Sequence, residues 1–268
     1  MRAKALHYWI MVLDVENFSP RENPVQRAVR RAMYEVVEDA LSATGLTGKG
    51  VVMEDRGDGI LILVPSTVSP VTLAGDFIRE LHDGLRERAV LTSTAAATRL
   101  RVALHQGLAS RDEHGWSGDA INTAFRLVNA EPLRDVLTAA HLAHLVFAVS
   151  SDVHRDVIRH GYRPLDPAAY LPTRFEAKHG QPIEAWVTVP GYSAPPGLPP
   201  LDAAQPTPVA PTHPSAAAGP QTPATQAPAS AGTAASAKTI TISGNTVQGD
   251  LVAGNKTVHV NGAYPGLR

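Results

Sequence analysis

The 268-residue chain contains no cysteine, which excludes disulfides and thiolate metal sites and fits a reducing compartment. It has no surplus of charge of either sign: 24 basic against 25 acidic residues leave a formal net charge of −1. A protein whose main task is to coat nucleic acid or an anionic membrane carries a basic excess, so neither partner is expected. Long hydrophobic runs are missing too. The longest are strand-sized, and the opening stretch MRAKALHYWIMVLDVENF has no signal-peptide cleavage pattern. A soluble, cytoplasmic protein is expected. The 11 histidines supply no metal cluster. His141 and His144 lie three apart on what reads as an amphipathic helix with no third ligand, and His105 reads as a packed strand residue. What is present is apolar bulk, 44% of residues, enough for part of the chain to bury a core.

Composition divides the chain in three. Residues 1–192 have ordinary globular composition with alternating strand and helix patterns. Residues 193–237 are almost entirely Pro, Ala, Thr, Ser and Gln, too little apolar bulk to offset chain entropy, so a flexible, partly polyproline linker is expected. Residues 238–268 turn rich in Thr and Val, with Gly244, Gly249 and Gly254 five apart and Asn or Asp after each. This is a small turn-and-strand repeat, suited to docking on a partner's sheet edge or to self-assembly with other copies. One copy is too small to fold alone, and a disordered tail is the competing expectation.

Within the first part, HYWIMVLDV (7–15) reads as a buried strand of β-formers ending at Asp14. Asn23-Pro24 signals a helix start, with Asn as N-cap and Pro at the first helical position. Val25, Val29, Ala32, Met33, Val36, Val37, Ala40 and Leu41 recur at three- and four-residue steps, predicting an amphipathic helix that stops near Gly45. GVVMEDRGDGILILVP reads as a hairpin turning at 55–59. A second helix is expected over 70–89, a strand over 100–107, helical material over 119–142, and strands near 143–149 and 183–189. The order strand–helix–strand–strand–helix–strand predicts an α/β sandwich of ferredoxin-like βαββαβ type with its helices on one face of the sheet.

Two carboxylates stand out on this framework. Asp14 follows seven mostly apolar residues, so its side chain should emerge at a strand end. Asp58 sits on a glycine-flanked turn, which can bring a second carboxylate near the first without side-chain obstruction. Mg²⁺ prefers one or two protein carboxylates completed by substrate phosphates, and this pair meets that need. Singly, each Asp is as simply a turn or cap residue. Asn122 and Arg126 lie four apart, on one helix face after the start signal Gly118-Asp119, and can contact ribose and phosphate. Singly, they read as a surface Asn and a salt-bridging Arg.

In order along the chain, these pieces resemble the catalytic domain of the class III nucleotidyl (adenylyl/guanylyl) cyclases. LDVENFS resembles that family's first metal-binding strand, and EDRGDG its second metal-site hairpin. LRVALHQG resembles the strand carrying a basic residue, His and Gly, and GDAINTAFRL the Gly-Asp…Asn…Arg helix. The similarity covers roughly residues 6–190. It implies that Asp14 and Asp58, with the Val15 carbonyl, hold two Mg²⁺ or Mn²⁺ ions per site. It further implies that Asn122 orients the ribose, Arg126 stabilises charge on the transferred phosphate, and Lys178 binds the triphosphate of a purine nucleoside. In this family metals and the Asn/Arg pair come from opposite subunits, so a homodimer is implied. Glu54 falls where guanylyl cyclases carry a base-reading Glu, which leans toward GTP. The partner position for base reading is Gly115, which has no side chain, and Phe125 replaces the small residue usual beside Arg126. The same resemblance also admits a catalytically weak cyclase-like scaffold that docks partners through 238–268.

Overall fold

The computed structural model describes residues 4–176 and 182–198. Lys178, the linker from residue 199 onward and the glycine-spaced repeat at 238–268 lie outside the described residues.

The first six elements are β1 (Leu6–Val15), α1 (Asn23–Ala43), β2 (Val52–Asp55), β3 (Gly59–Pro65), α2 (Ile78–Val90) and β4 (Leu100–Asp112), and a π-helical turn over Thr72–Phe77 runs directly into α2. Their strands pair antiparallel in the order β2-β3-β1-β4. This is the ferredoxin-like βαββαβ arrangement. The rest of the chain adds β5 (Gly115–Ser117), α3 (Asp119–Val128), α4 (Glu131–Ala139), β6 (Leu145–Ser150), α5 (Ser151–Asp156), β7 (Leu171–Glu176) and β8 (Pro182–Thr188). β6 lies parallel to β4, the β8 and β7 strands follow antiparallel, and β5 folds back on the far end of β4.

β1 is apolar on both sides because both sides are covered. Met11, Leu13 and Val15 pack against the α1 stripe Val29, Met33, Val36, Val37 and Ala40 and against Phe77, Leu81 and Leu85. Gly84 lets the two helices approach, since a Cβ there would sit 2.9 Å from Val36. Ile10 and Val12 face the other way, onto Ile121, Ala124, Leu127 and Val128 of α3. α4 extends this second layer over β6 and β8 through Leu133, Val136 and Leu137.

The expected single helical layer therefore holds for the βαββαβ core, α1 and α2, while α3 and α4 cover the opposite face. Asn23 is the first helical residue rather than the cap; Glu22 occupies the cap position without a side-chain bond. The expected helical stretch 119–142 is two helices broken at Asn129-Ala130 and finished by Ala139, so His141 and His144 fall beyond the helix. β7, with a proline and three polar side chains in six residues, has little strand signal; it is an edge strand, where proline is tolerated. No helix among the described residues is long and apolar enough to cross a membrane.

Candidate active site

The β1–β3 register ends at Asp14 opposite Gly59, and one step further the Val15 N–H donates to the Asp58 carbonyl at 3.0 Å. The turn carrying Asp58 is thus stitched to the strand end carrying Asp14. Gly57 supplies the positive φ (84°) that the turn needs. The Asp55 carboxylate accepts from the Gly57 N–H at 2.8 Å, and Arg30 of α1 donates to the Gly57 carbonyl at 2.6 Å while pairing with Asp55. A Cβ at Gly59 would overlap the Leu13 carbonyl oxygen, so only glycine admits this approach of hairpin to strand.

Asp14 and Asp58 are both half-buried. Burial pushes the Asp14 carboxyl up to about 6, the Asp58 charge adds to that, and the Arg101 guanidinium opposes it. Arg101 is the basic residue of the LRVALHQG motif, to which the sequence reading gave no role at the site. It lies opposite Asp14 in the β1–β4 register, is 9% exposed, and forms an ion pair with the Asp14 carboxylate through Nη2. Its Nε–H is buried with no acceptor among the described residues. The signal was available: a lone arginine inside the apolar strand LRVAL needs a buried carboxylate across the sheet.

Asn122 and Arg126 are exposed on α3. That helix sits directly on β4, because Gly107 leaves room for Ala120 and Gly118 passes close to the Leu108 carbonyl. Arg126 lines a cavity of about 920 Å³ with Phe125, Glu131, Arg134 and Arg174. Asp58 lines a different one of about 510 Å³, at the start of α1, with Ser19, Asn23, Arg27 and Arg56. Neither cavity brings Asp58 and Arg126 together within one chain.

Glu54 and Gly115, 61 positions apart in sequence, do meet: a Cβ on Gly115 would lie 3.3 Å from Glu54 Oε1. The β4–β5 hairpin makes this contact, and Gly115 adopts φ 123°, strained for any other residue. Glu54 also accepts from Arg56 Nη2 at 2.6 Å, and the Arg56 guanidinium lies 5.4 Å from the centre of the Phe125 ring.

The donor set suits a hard divalent cation that a substrate completes. It consists of two carboxylates at adjoining strand ends, one with a markedly raised pKa, and among the described residues no group of three or more ligating side chains forms a closed metal cage. The acid pair is crowded and partly desolvated, and Arg101 balances part of its charge.

No protein-family model matches the chain, and neither does any curated protein sequence. Solved structures do. The crystal structure of the guanylyl cyclase Cya2 is 16% identical with a TM-score of 0.51, covering 74% of this chain and 98% of that one. An adenylate/guanylate cyclase/hydrolase from Silicibacter pomeroyi is 18% identical with a TM-score of 0.51, covering 70% of this chain and 99% of that one. The chain has the fold of the adenylyl/guanylyl cyclase catalytic domains.

Proposed function

We propose that the protein is a nucleotidyl cyclase. It converts a purine nucleoside triphosphate, GTP in preference to ATP, to the cyclic nucleotide and pyrophosphate, and it works as a homodimer. The observation that carries this reading is the pairing of Asp14 with Asp58 at adjoining strand ends, near enough for one charge to raise the other's pKa, on a cyclase fold. Asp14, Asp58 and the Val15 carbonyl would hold two Mg²⁺ or Mn²⁺ ions. When bound, such ions acidify the ribose 3′-hydroxyl and neutralise triphosphate charge.

The chain's own groups supply the rest. Arg101, paired with Asp14 beside the acidic corner, holds that carboxylate in place at the strand end. Asn122 orients the ribose. Arg126 stabilises charge on the α-phosphate as the 3′-oxygen attacks in line and pyrophosphate leaves. Lys178 would hold the triphosphate. The cyclase resemblance implies that the Arg126 completing each site comes from the second subunit, and the opening of Asp58 and Arg126 into separate cavities of one chain supports that reading. Glu54 can accept from guanine N1–H and N2–H₂, a donor pair that adenine lacks.

The test is conversion of labelled GTP, ATP, CTP and UTP with Mg²⁺ or Mn²⁺. Cyclic product from GTP, lost in Asp14→Ala and Asp58→Ala, is expected. No product from a folded dimer with either metal removes the reading. A second reading, a nucleotide-sensing scaffold docking partners through 238–268, is favoured by Gly115 and by the hold of Arg101 on Asp14. On that reading nucleotide raises the melting temperature without turnover. Deleting 238–268 would then abolish assembly and leave the domain folded.

A further inference from the structure

The carboxylate assigned to the base already has a partner. Arg56 Nη2 donates to Glu54 Oε2 at 2.6 Å, and its guanidinium rests 5.4 Å from the Phe125 ring centre, on the residue next to Arg126. A guanidinium edge and a guanine edge offer a carboxylate the same thing: adjacent N–H donors in one plane. Both Glu54 and Arg56 are half-exposed, with side-chain exposures of 29% and 37%, so neither is locked by packing. Gly115 presents no side chain that could compete for or supplement Glu54. Arg56 also lines the cavity of Asp58, which gives a displaced guanidinium open space to enter.

We propose that Arg56 is a built-in competitor for the base-reading carboxylate. In the resting protein it occupies Glu54 with the donor edge that guanine would present, held there by the face of Phe125, and a nucleotide must displace it to bind. Binding affinity is then lowered by the fraction of time that Arg56 keeps Glu54 occupied. A base without paired donors gains nothing at Glu54 in exchange for the displacement. This proposal rests on the reading of Glu54 as the group that contacts the base.

The test is equilibrium binding of fluorescent GTP and ATP analogues to the full chain with Mg²⁺, for Arg56→Ala, Phe125→Leu, Glu54→Gln and the double variant Arg56→Ala/Glu54→Gln. Exposed ion pairs and cation–π contacts are individually weak, so Arg56→Ala is expected to tighten GTP binding by about two- to tenfold. Phe125→Leu, which keeps the guanidinium and removes its platform, tightens it by about two- to threefold. The double variant should bind no better than Glu54→Gln alone, because the competitor acts only through that carboxylate. If Glu54→Gln weakens GTP binding but Arg56→Ala leaves it unchanged or weakens it, the competitor is overturned and the base-reading role stands. If Glu54→Gln leaves GTP binding unchanged, the base-reading role falls first and the proposal with it. Unchanged binding in Phe125→Leu alongside tighter binding in Arg56→Ala would overturn the role given to the ring.

Discussion

Asp14 and Arg101 face each other across β1 and β4 as register partners and form an ion pair with side-chain exposures of 14% and 10%, at the strand end where the Asp58 turn closes. Three charges therefore share one poorly solvated corner. The arrangement is held together by the cation among them. Replacing Arg101 by Met should leave two uncompensated carboxylates and destabilise the chain by about 3 kcal/mol. Part of that loss should return when Mg²⁺ or Mn²⁺ is added. Urea titrations with and without the metal check this, and an equal loss in both would mean that the corner takes no cation.

The same corner has a pH signature. The Asp14 carboxyl titrates near 3.8 in the unfolded chain and near 6 in the folded one. Between those values the folded state keeps a proton that the unfolded state has released, so the contribution of Asp14 to stability is full below about pH 4 and lost as pH rises through 6. Chelated wild-type protein should lose stability across that window relative to Asp14→Asn. Parallel stability curves for the two proteins, measured from pH 4 to 7 in urea, would contradict the raised pKa.

Gly59 carries the whole approach of hairpin to strand. Gly59→Ala places a methyl on the Leu13 carbonyl oxygen, and the backbone must yield. A cost of about 1–3 kcal/mol is expected, with the proposed cyclase activity falling further than stability because Asp58 moves with the turn. Circular dichroism melts alongside the activity assay separate the two effects.

The proposed sharing of sites between two subunits gives a complementation prediction. Asp58→Ala and Arg126→Ala homodimers should each lose activity by about 10²-fold or more. Mixed and allowed to exchange subunits, they should recover a fraction of wild-type activity, since a heterodimer retains one intact site. Failure to recover, with exchange shown by differential labelling, would place both residues in one chain's site.

Much of this was legible in the sequence, and for a local reason. The α1 stripe, the Asp58 turn and the shared face of Asn122 and Arg126 depend on neighbours two to four residues away, the range over which helical and turn geometry act. The apolar run of β1 likewise announced a buried strand. Less was visible where a break interrupts a pattern, as at Asn129-Ala130, or where a strand is held by the sheet edge rather than by its own residues, as in β7.

What the sequence by itself determined is which side chains stand at strand ends, turns and helix faces, because backbone geometry and hydrophobic period are written in short stretches. Only the tertiary structure decided who meets whom. Strand register set Arg101 against Asp14, the returning β4–β5 hairpin brought Gly115 to Glu54, and the packing of α3 over the sheet put Phe125 within reach of Arg56. Those contacts join residues roughly 60 to 90 positions apart, and no local preference encodes them; they follow from burying two faces of one sheet at once.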